Sequence, residues 1–269
     1  RKTMINTGVT DFFFVDKNRT TLAIGGEDKI DFLQALTTNN IEKVSKEGIV
    51  YTAILSPQGK YLFDFFVFSL GNKEIFIDIH QSRAVAFKKF LEFYKLNSDV
   101  TIFDKACQIV ISSVPQETCS FADPRANILG WRCYDFKEEF ANEIRGFEEF
   151  ETNRIKSLIP ETGVELIPEK SYILELNFEK IKGVDFKKGC YIGQEVTARM
   201  KHKAKLKNKL YCGRIPTNPE NKTDKKIYFN GKVVGEIYSI SNNYCLIKIK
   251  EEFKEEKLTV FGQPLTLVD

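Results

Sequence analysis

Histidine, tryptophan and methionine are rare in this chain of 269 residues, which contains two, one and two of them respectively. Two histidines are too few for a multi-histidine metal centre, and none of the cysteines forms the C-x-x-C pair typical of structural zinc sites. No apolar run is long enough to span a bilayer, and the N-terminus lacks the pattern of a secretory signal. We therefore expect no membrane partner, no resident metal, reduced cysteines and a cytoplasmic location.

The chain also lacks a large excess of positive or negative residues, because its formal net charge is only +3. This balance gives no reason to expect binding to nucleic acid or to an anionic membrane. The Lys-rich run at 200–209 is a local exception. It suits a solvated linker or a positive rim that attracts an anionic ligand, and it suits RNA binding least, because it lacks interleaved aromatic residues. We predict no nucleic-acid partner.

One stretch combines a nucleophile, flexible backbone and both signs of charge. Cys190 lies between Gly189 and Gly193, and two lysines precede it. Thiols react and bind metals as thiolates, which neighbouring cations favour, so Cys190 is a candidate reactive or ligand thiol with Lys188 as its catalytic partner. Glu195, two residues after Gly193, predicts the first turn of a helix. The alternative is a turn that holds a buried, inert cysteine.

A carboxylate lies inside a strongly apolar predicted strand. The patterns at 49–55 and 60–68 predict two strands joined by a turn that contains Pro57 and Gly59. Asp64 lies within the second of them. A buried carboxylate is costly unless it is paired, hydrogen-bonded or protonated, so Asp64 is a candidate site residue. The alternative is a strand with one wet face, from which Asp64 points into water.

Other patterns predict the elements around these motifs. Runs of β-formers at 12–16 and 20–24 predict a strand pair, and a helix is predicted between Asp28 and the Asn39-Asn40 pair. A charged, surface-lying helix is predicted at 140–158. Short strands after residue 208, with an Asn-Gly hairpin signal, predict a small antiparallel barrel.

The motif KGCYIGQEVTAR at 188–199 resembles the signature of the folate-binding YgfZ family. That family is related to the aminomethyltransferases of glycine cleavage, the T proteins, and is linked to the maturation of iron–sulfur proteins. The resemblance implies a pocket for tetrahydrofolate or a one-carbon derivative, and iron–sulfur client or assembly proteins as partners. It covers most of the chain, because further stretches match in order: DFLQALTTNN (31–40), LSPQGKYLFDF (55–65), DPRANILGWR (123–132), IPETGVELIPE (159–169) and LELNFEKIKGVDFKKGC (174–190).

The resemblance also implies cofactor-binding residues. Asn39 would lie near the folate pocket, although a helix stop is the alternative, and Asp64 would act near the reactive nitrogens of the folate. Arg125 suits either a clamp on the glutamate tail of folate or a tie between two domains. Glu175 suits either a hydrogen bond to the pterin or a cap on the next turn. The predicted set is completed by Gln194, Glu195 and Arg199.

The predicted fold is α+β, with two interlocked sheet-and-helix modules of the aminomethyltransferase folate-binding type and a C-terminal antiparallel β-barrel. We predict module boundaries at 1–100, 101–207 and 208–269.

The first functional hypothesis is a tetrahydrofolate-binding accessory factor for assembly or repair of iron–sulfur proteins, acting through Cys190. A cubane cluster usually takes four thiolates, so Cys190 would be a transient shared ligand, a redox thiol or a folate-gated thiol. The alternative is an enzyme that transfers a one-carbon unit to tetrahydrofolate. Against it, relatives with that activity commonly have two consecutive carboxylates where this chain has Phe63-Asp64, and the transfer needs no thiol. A third hypothesis is a folate-binding interaction module without chemistry.

Overall fold

A computed structural model describes residues 11–71, 73–117, 119–137, 144–202, 206–219 and 223–268. These residues form two five-stranded sheets, a closed barrel and five α-helices. No helix in these ranges is both long enough and apolar enough to cross a membrane. In chain order the elements are β1 (Phe13–Val15), β2 (Arg19–Gly25), α1 (Lys29–Leu36), α2 (Val44–Glu47), β3 (Ile49–Leu55), β4 (Tyr61–Ser69), β5 (Ile75–His80), α3 (Gln81–Tyr94), β6 (Thr101–Asp104), β7 (Gln108–Ser112), β8 (Cys119–Ala122), β9 (Trp131–Asp135), β10 (Ile144–Arg145), α4 (Phe147–Lys156), α5 (Gln194–His202), β11 (Asn208–Arg214), β12 (Lys226–Phe229), β13 (Lys232–Ser241), β14 (Tyr244–Lys250), β15 (Leu258–Val260) and β16 (Gln263–Val268).

The first sheet has the order β3-β4-β5-β2-β6 and is antiparallel throughout. Its strands are apolar on both faces, since one face packs against helices and the other against the second sheet. On the helix side, Phe87 of α3 contacts the rings of Phe63 and Phe65, with centroids 5.3 and 4.7 Å away. The strands predicted at 49–55 and 60–68 are confirmed as the paired β3 and β4.

The second sheet has the order β10-β1-β7-β9-β8. The two predicted modules exchange strands, because β1 of the first module lies in the second sheet and β6 of the second module lies in the first sheet. The strands predicted at 12–16 and 20–24 both exist, but their predicted pairing is wrong. β1 pairs with β7 and β10, whereas β2 pairs with β5 and β6. The cause is tertiary: Phe12 and Phe14 pack edge-on against Phe150 of α4, with ring centroids 5.6 and 5.1 Å away. The predicted interlocking of the two modules follows from this exchange.

A buried polar network connects the two sheets. Asp78 of β5 is fully buried and accepts hydrogen bonds from Arg19 of β2 and from Arg132 and Tyr134 of β9. Burial alone would raise the pKa of Asp78, but the guanidinium groups of Arg132 and Arg19 outweigh it and lower the pKa. The carboxylate is therefore held as an anion between two cations, one from each sheet.

The C-terminal barrel closes in the order β11-β14-β13-β12-β15-β16, which confirms the predicted antiparallel barrel. Asn230 and Gly231 connect β12 and β13 with φ angles of 49° and 75°, as the hairpin signal predicts. The predicted helix at 140–158 begins at residue 147 within the described residues, and positions 138–143 lie outside them. Its predicted surface position is wrong, because Phe150, Arg154 and Ile155 are buried where α4 packs against the barrel and the second sheet.

Candidate functional site

A cleft of about 740 Å³ opens where the segment after α1, the strand β3 and the loop after β8 meet the segment 179–187. Its ionic lining is balanced, with four lysines and four carboxylates. Lys43 pairs with Asp185 and Lys201 pairs with Glu179. The remaining lysines are Lys182 and Lys187, which make no salt bridge among the described residues and are both exposed.

Asn39 lines this cleft and connects two of its walls. Its Nδ2 donates to the carbonyl oxygens of Tyr51 and Lys182, at 2.8 and 2.7 Å, and its Oδ1 accepts from the Asn40 amide. The helix α1 ends at Leu36, so Asn39 lies beyond the helix end and does not act as its stop. Only 5% of Asn39 is exposed, and contact between Asn39 and a folate stays a prediction.

Asp64 lies behind the cleft, with Tyr51 between them. The alternative of a wet face is wrong, because Asp64 is 4% exposed. Its carboxylate accepts from the hydroxyls of Tyr61 and Thr162 at 2.6 Å each and from Tyr51 at 2.9 Å. Burial raises the pKa of both tyrosines, and the charge of Asp64 raises it further, so their hydroxyls stay protonated and donate. Tyr51 therefore connects the cleft lining to Asp64.

The guanidinium group of Arg125 is already paired with a carboxylate of the protein. Its Nε and Nη2 donate to the two carboxylate oxygens of Asp123, at 3.0 and 2.7 Å. Its guanidinium lies over the rings of Tyr51 and Phe66 in the first sheet, 5.3 and 4.8 Å from their centroids. This geometry favours the tie between two modules over the clamp on a glutamate tail.

The Cys190 loop has an exposed tip between buried neighbours. Cys190 itself is exposed, so the burial that the alternative assumed is wrong, while the reactivity of the thiol stays a prediction. Lys188 is only 8% exposed, and its ammonium lies among backbone carbonyls at the end of α1. Burial lowers the pKa of Lys188 to about 8, although Asp185 and Glu42 act in the opposite direction.

No group of three or more potential metal ligands is found in the described part of the chain, and Cys190 belongs to no such cluster there.

The remaining predicted residues lie outside the cleft lining. Helix α5 begins at Gln194 as predicted, and the Gln194 side chain donates to the Gly189 carbonyl oxygen at 3.4 Å, across the Cys190 loop. Glu195 and Arg199 form an exposed ion pair at 2.9 Å on that helix. Glu175 accepts from Asn208 at the start of the barrel, at 3.3 Å. The structure thus brings Asn39 to the cleft and Asp64 behind it, and it leaves Cys190 outside the cleft lining.

Sequence reasoning missed two residues that shape the site. Tyr51 stands in an apolar strand pattern, which gives no sign that the residue lines a cleft and that its hydroxyl donates to Asp64. Lys182 lies in the stretch 174–190, and its φ angle of 57° is unusual for a lysine. No sequence signal predicts that conformation, which is fixed by the turn that closes the cleft.

Comparison with known proteins gives relatives but no matching family model. The chain is 27% identical to the mitochondrial iron–sulfur cluster assembly factor IBA57 of Homo sapiens over an alignment that covers 87% of this chain and 76% of that protein. It is 28% identical to the Mus musculus factor, covering 72% and 63%. A homolog from Pyricularia oryzae is 26% identical, covering 72% of this chain and 55% of its own length. The chain thus spans about half the length of its fungal relatives.

A solved structure shows the same fold. The aminomethyltransferase T of the glycine cleavage system from Bartonella henselae matches with a TM-score of 0.72, at 12% identity, over 96% of this chain and 84% of that one. The predicted α+β fold of aminomethyltransferase type is therefore confirmed. The similarity to iron–sulfur assembly factors is also found, while membership of the YgfZ family itself stays a prediction. The expected cytoplasmic location is contradicted, because the relatives are mitochondrial by name.

Proposed function

We propose that this chain takes part in the assembly or repair of iron–sulfur proteins, binds a tetrahydrofolate in the cleft and acts through Cys190. The observation that carries the proposal is the exposed thiol of Cys190, which projects from a loop with buried neighbours in a chain similar to iron–sulfur cluster assembly factors. An exposed thiol on a fixed loop is available to a partner protein without unfolding.

The cleft suits a folate in size and in chemistry. A volume of about 740 Å³ is within the range of pockets that enclose cofactor-sized ligands. Tyr51 and Asn39 form part of the lining, and both are almost completely buried. Lys182 and Lys187, which make no salt bridge among the described residues, suit the carboxylates of a glutamate tail. These residues would hold the folate, which supplies a one-carbon carrier when it is bound.

The chemistry of iron limits what Cys190 does. A cubane cluster usually takes four thiolates, and no group of three potential ligands occurs together among the described residues. We therefore propose that Cys190 binds iron or a cluster transiently, as cargo, with the other ligands supplied by an iron–sulfur client or assembly protein. A single exposed thiol is suited to such an exchange, because one ligand among several releases the cargo readily.

The second candidate is a transferase, which the aminomethyltransferase fold favours. Its expected catalytic carboxylate, Asp64, already accepts three hydrogen bonds from hydroxyl groups and lies behind Tyr51. These bonds take three of the roughly four acceptor positions of a carboxylate, so about one is left for a nitrogen of the folate. The arrangement supports the accessory factor over the enzyme.

The test compares two exposed cysteines in cells that lack their own assembly factor of this kind. Wild type, Cys190→Ala and Cys119→Ala are expressed at matched levels, and the activity of iron–sulfur enzymes is divided by the amount of each enzyme. Cys119 is the control, because it is also exposed but lies on β8. We expect wild type and Cys119→Ala to restore activity and Cys190→Ala to fail. Full restoration by Cys190→Ala would refute the proposed role of this thiol.

A further inference from the structure

The loop that carries Cys190 is fixed on both sides of its exposed tip. Lys188 and Tyr191 are buried, at 8% and 7% exposure, while the two residues between them are exposed. Further along, Gly193 has a φ angle of 81° and packs so closely on the turn between β3 and β4 that a Cβ there would lie 2.6 Å from the carbonyl oxygen of Ser56. These anchors set the position of Cys190.

The first anchor is the ammonium group of Lys188. It donates to the carbonyl oxygens of Gln34, Thr37 and Asn39, at 2.7, 2.5 and 3.0 Å, and the ring centroid of Tyr191 is 5.3 Å away. We call these three carbonyls the carbonyl cage. They lie at and just beyond the C-terminus of α1, where the unsatisfied carbonyls and the helix dipole favour a cation.

The geometry excludes a hydrogen bond from this ammonium to the thiol. A lysine ammonium has three N–H donors and no acceptor, and the carbonyl cage takes all three. No donor is left for the sulfur of Cys190. What Lys188 holds in place is the backbone two residues before Cys190.

The carbonyl cage is joined to the cleft through Asn39. The backbone carbonyl of Asn39 accepts from Lys188, while its side chain donates to the carbonyls of Tyr51 and Lys182 in two cleft walls. A ligand that moves the backbone of Asn39 changes the carbonyl cage as well. One residue thus belongs both to the cleft and to the anchor of the Cys190 loop.

We infer that Lys188 is a positioning residue that couples the occupancy of the cleft to the presentation of Cys190. The inference rests on the proposed folate site and adds a means by which a bound folate controls the thiol. A folate that orders Asn39 tightens the carbonyl cage, and the tightened cage holds the Cys190 loop in one position. Without Lys188 the loop and the cleft become independent.

The test measures the rate at which iodoacetamide alkylates Cys190, with and without saturating 5-formyltetrahydrofolate. Mass spectrometry of the full chain after digestion follows Cys190, and the exposed Cys119 serves as internal reference. For wild type we expect folate to slow the reaction about fivefold, at the lower end of the range for coupled sites. In Lys188→Met the rate is expected to be independent of folate, although calorimetry shows folate binding. The control Lys180→Met, an exposed lysine outside the cleft lining, should behave as wild type.

Three results would overturn the inference. Equal protection of Cys190 in wild type and Lys188→Met means that the ligand shields the thiol directly. Folate binding to wild type without any change in alkylation refutes the coupling but leaves the proposed folate site intact. Absence of folate binding to wild type refutes both.

A measurement on wild type alone covers the case in which Lys188→Met does not fold. Hydrogen–deuterium exchange is recorded with and without 5-formyltetrahydrofolate. We expect the amides at 37–41, around Asn39, and those at 189–192, around Cys190, to become protected together. Protection confined to the segments that line the cleft would overturn the inference.

Discussion

Replacing Asp78 by asparagine tests the buried network that joins the two sheets. The Asp78 carboxylate accepts from Arg19 at 2.5 Å, from Arg132 at 2.7 and 3.1 Å and from Tyr134 at 2.8 Å. Asp78→Asn keeps the shape but removes the charge, and it turns one acceptor into an N–H donor that faces other donors. Two guanidinium groups are then left in the interior without their shared anion.

The expected loss follows from the burial of the partners. The side chains of Arg19 and Arg132 are 10% and 2% exposed, so water cannot replace the lost carboxylate. Removing one partner from a buried ion pair costs roughly 3–5 kcal/mol, and the other carboxylate that Arg132 contacts among the described residues, Asp123, is 3.6 Å away. We expect Asp78→Asn to lower the free energy of unfolding by about 3 kcal/mol, a large part of the ~5–15 kcal/mol of a typical domain.

Urea denaturation followed by the fluorescence of Trp131 measures this loss. Trp131 is the single tryptophan and precedes Arg132 in β9, so it reports on the second sheet. The control is Asp104→Asn, whose partner is Lys88 and whose side chain is 76% exposed. An exposed pair of this kind contributes roughly 0–1 kcal/mol. A loss for Asp78→Asn no larger than that of the control would refute the view that this network stabilises the contact between the sheets.

Three further predictions follow from the same contacts. Gly193→Ala should lower the midpoint of thermal unfolding more than Gly163→Ala does, because both have φ near 80° but only Gly193 lies against backbone, and equal shifts would contradict the close packing. Lys182→Gln should weaken binding of a polyglutamylated folate by about 2–5-fold in calorimetry, and an unchanged affinity would remove it from the proposed site. Since the pKa values of Asp78 and Asp123 are lowered in the fold, the stability that they add is present above about pH 4 and is lost as the pH falls through their lowered values. Urea unfolding between about pH 3 and 7 should therefore show a smaller loss in Asp78→Asn than in wild type, and equal slopes would contradict this sign.

The sequence patterns predicted correctly those elements whose structure depends on residues close to them along the chain. The strands β3 and β4, the helix α1 and the hairpin at Asn230-Gly231 follow from apolar patterning and turn chemistry within short windows. The pairing of β1 does not, because Phe12 and Phe14 find their partners in α4, more than a hundred residues away. Surface helices are predicted from charge, and α4 fails this rule because Arg154 buries its charge in contacts with Glu151 and the barrel.

The candidate site shows the same limit. Asp64 was singled out because a carboxylate in an apolar strand needs partners, and the same reasoning applied to the strand IFIDIH would have found Asp78. The exposure of Cys190 and the burial of Lys188, two residues apart, have no signature in the sequence. They depend on where the end of α1 lies in space, which only the folded chain defines.

The most direct test of the proposed function is a calorimetric titration of wild type and Cys190→Ala with tetrahydrofolate, followed in the same samples by an assay of glycine-dependent one-carbon transfer with the aminomethyl carrier protein. We predict single-site binding of similar affinity to both proteins, because Cys190 lies outside the cleft lining, and no transfer by either. Transfer by both proteins would make the chain an aminomethyltransferase and Cys190 unnecessary for its activity, and absence of binding would contradict the proposed folate site.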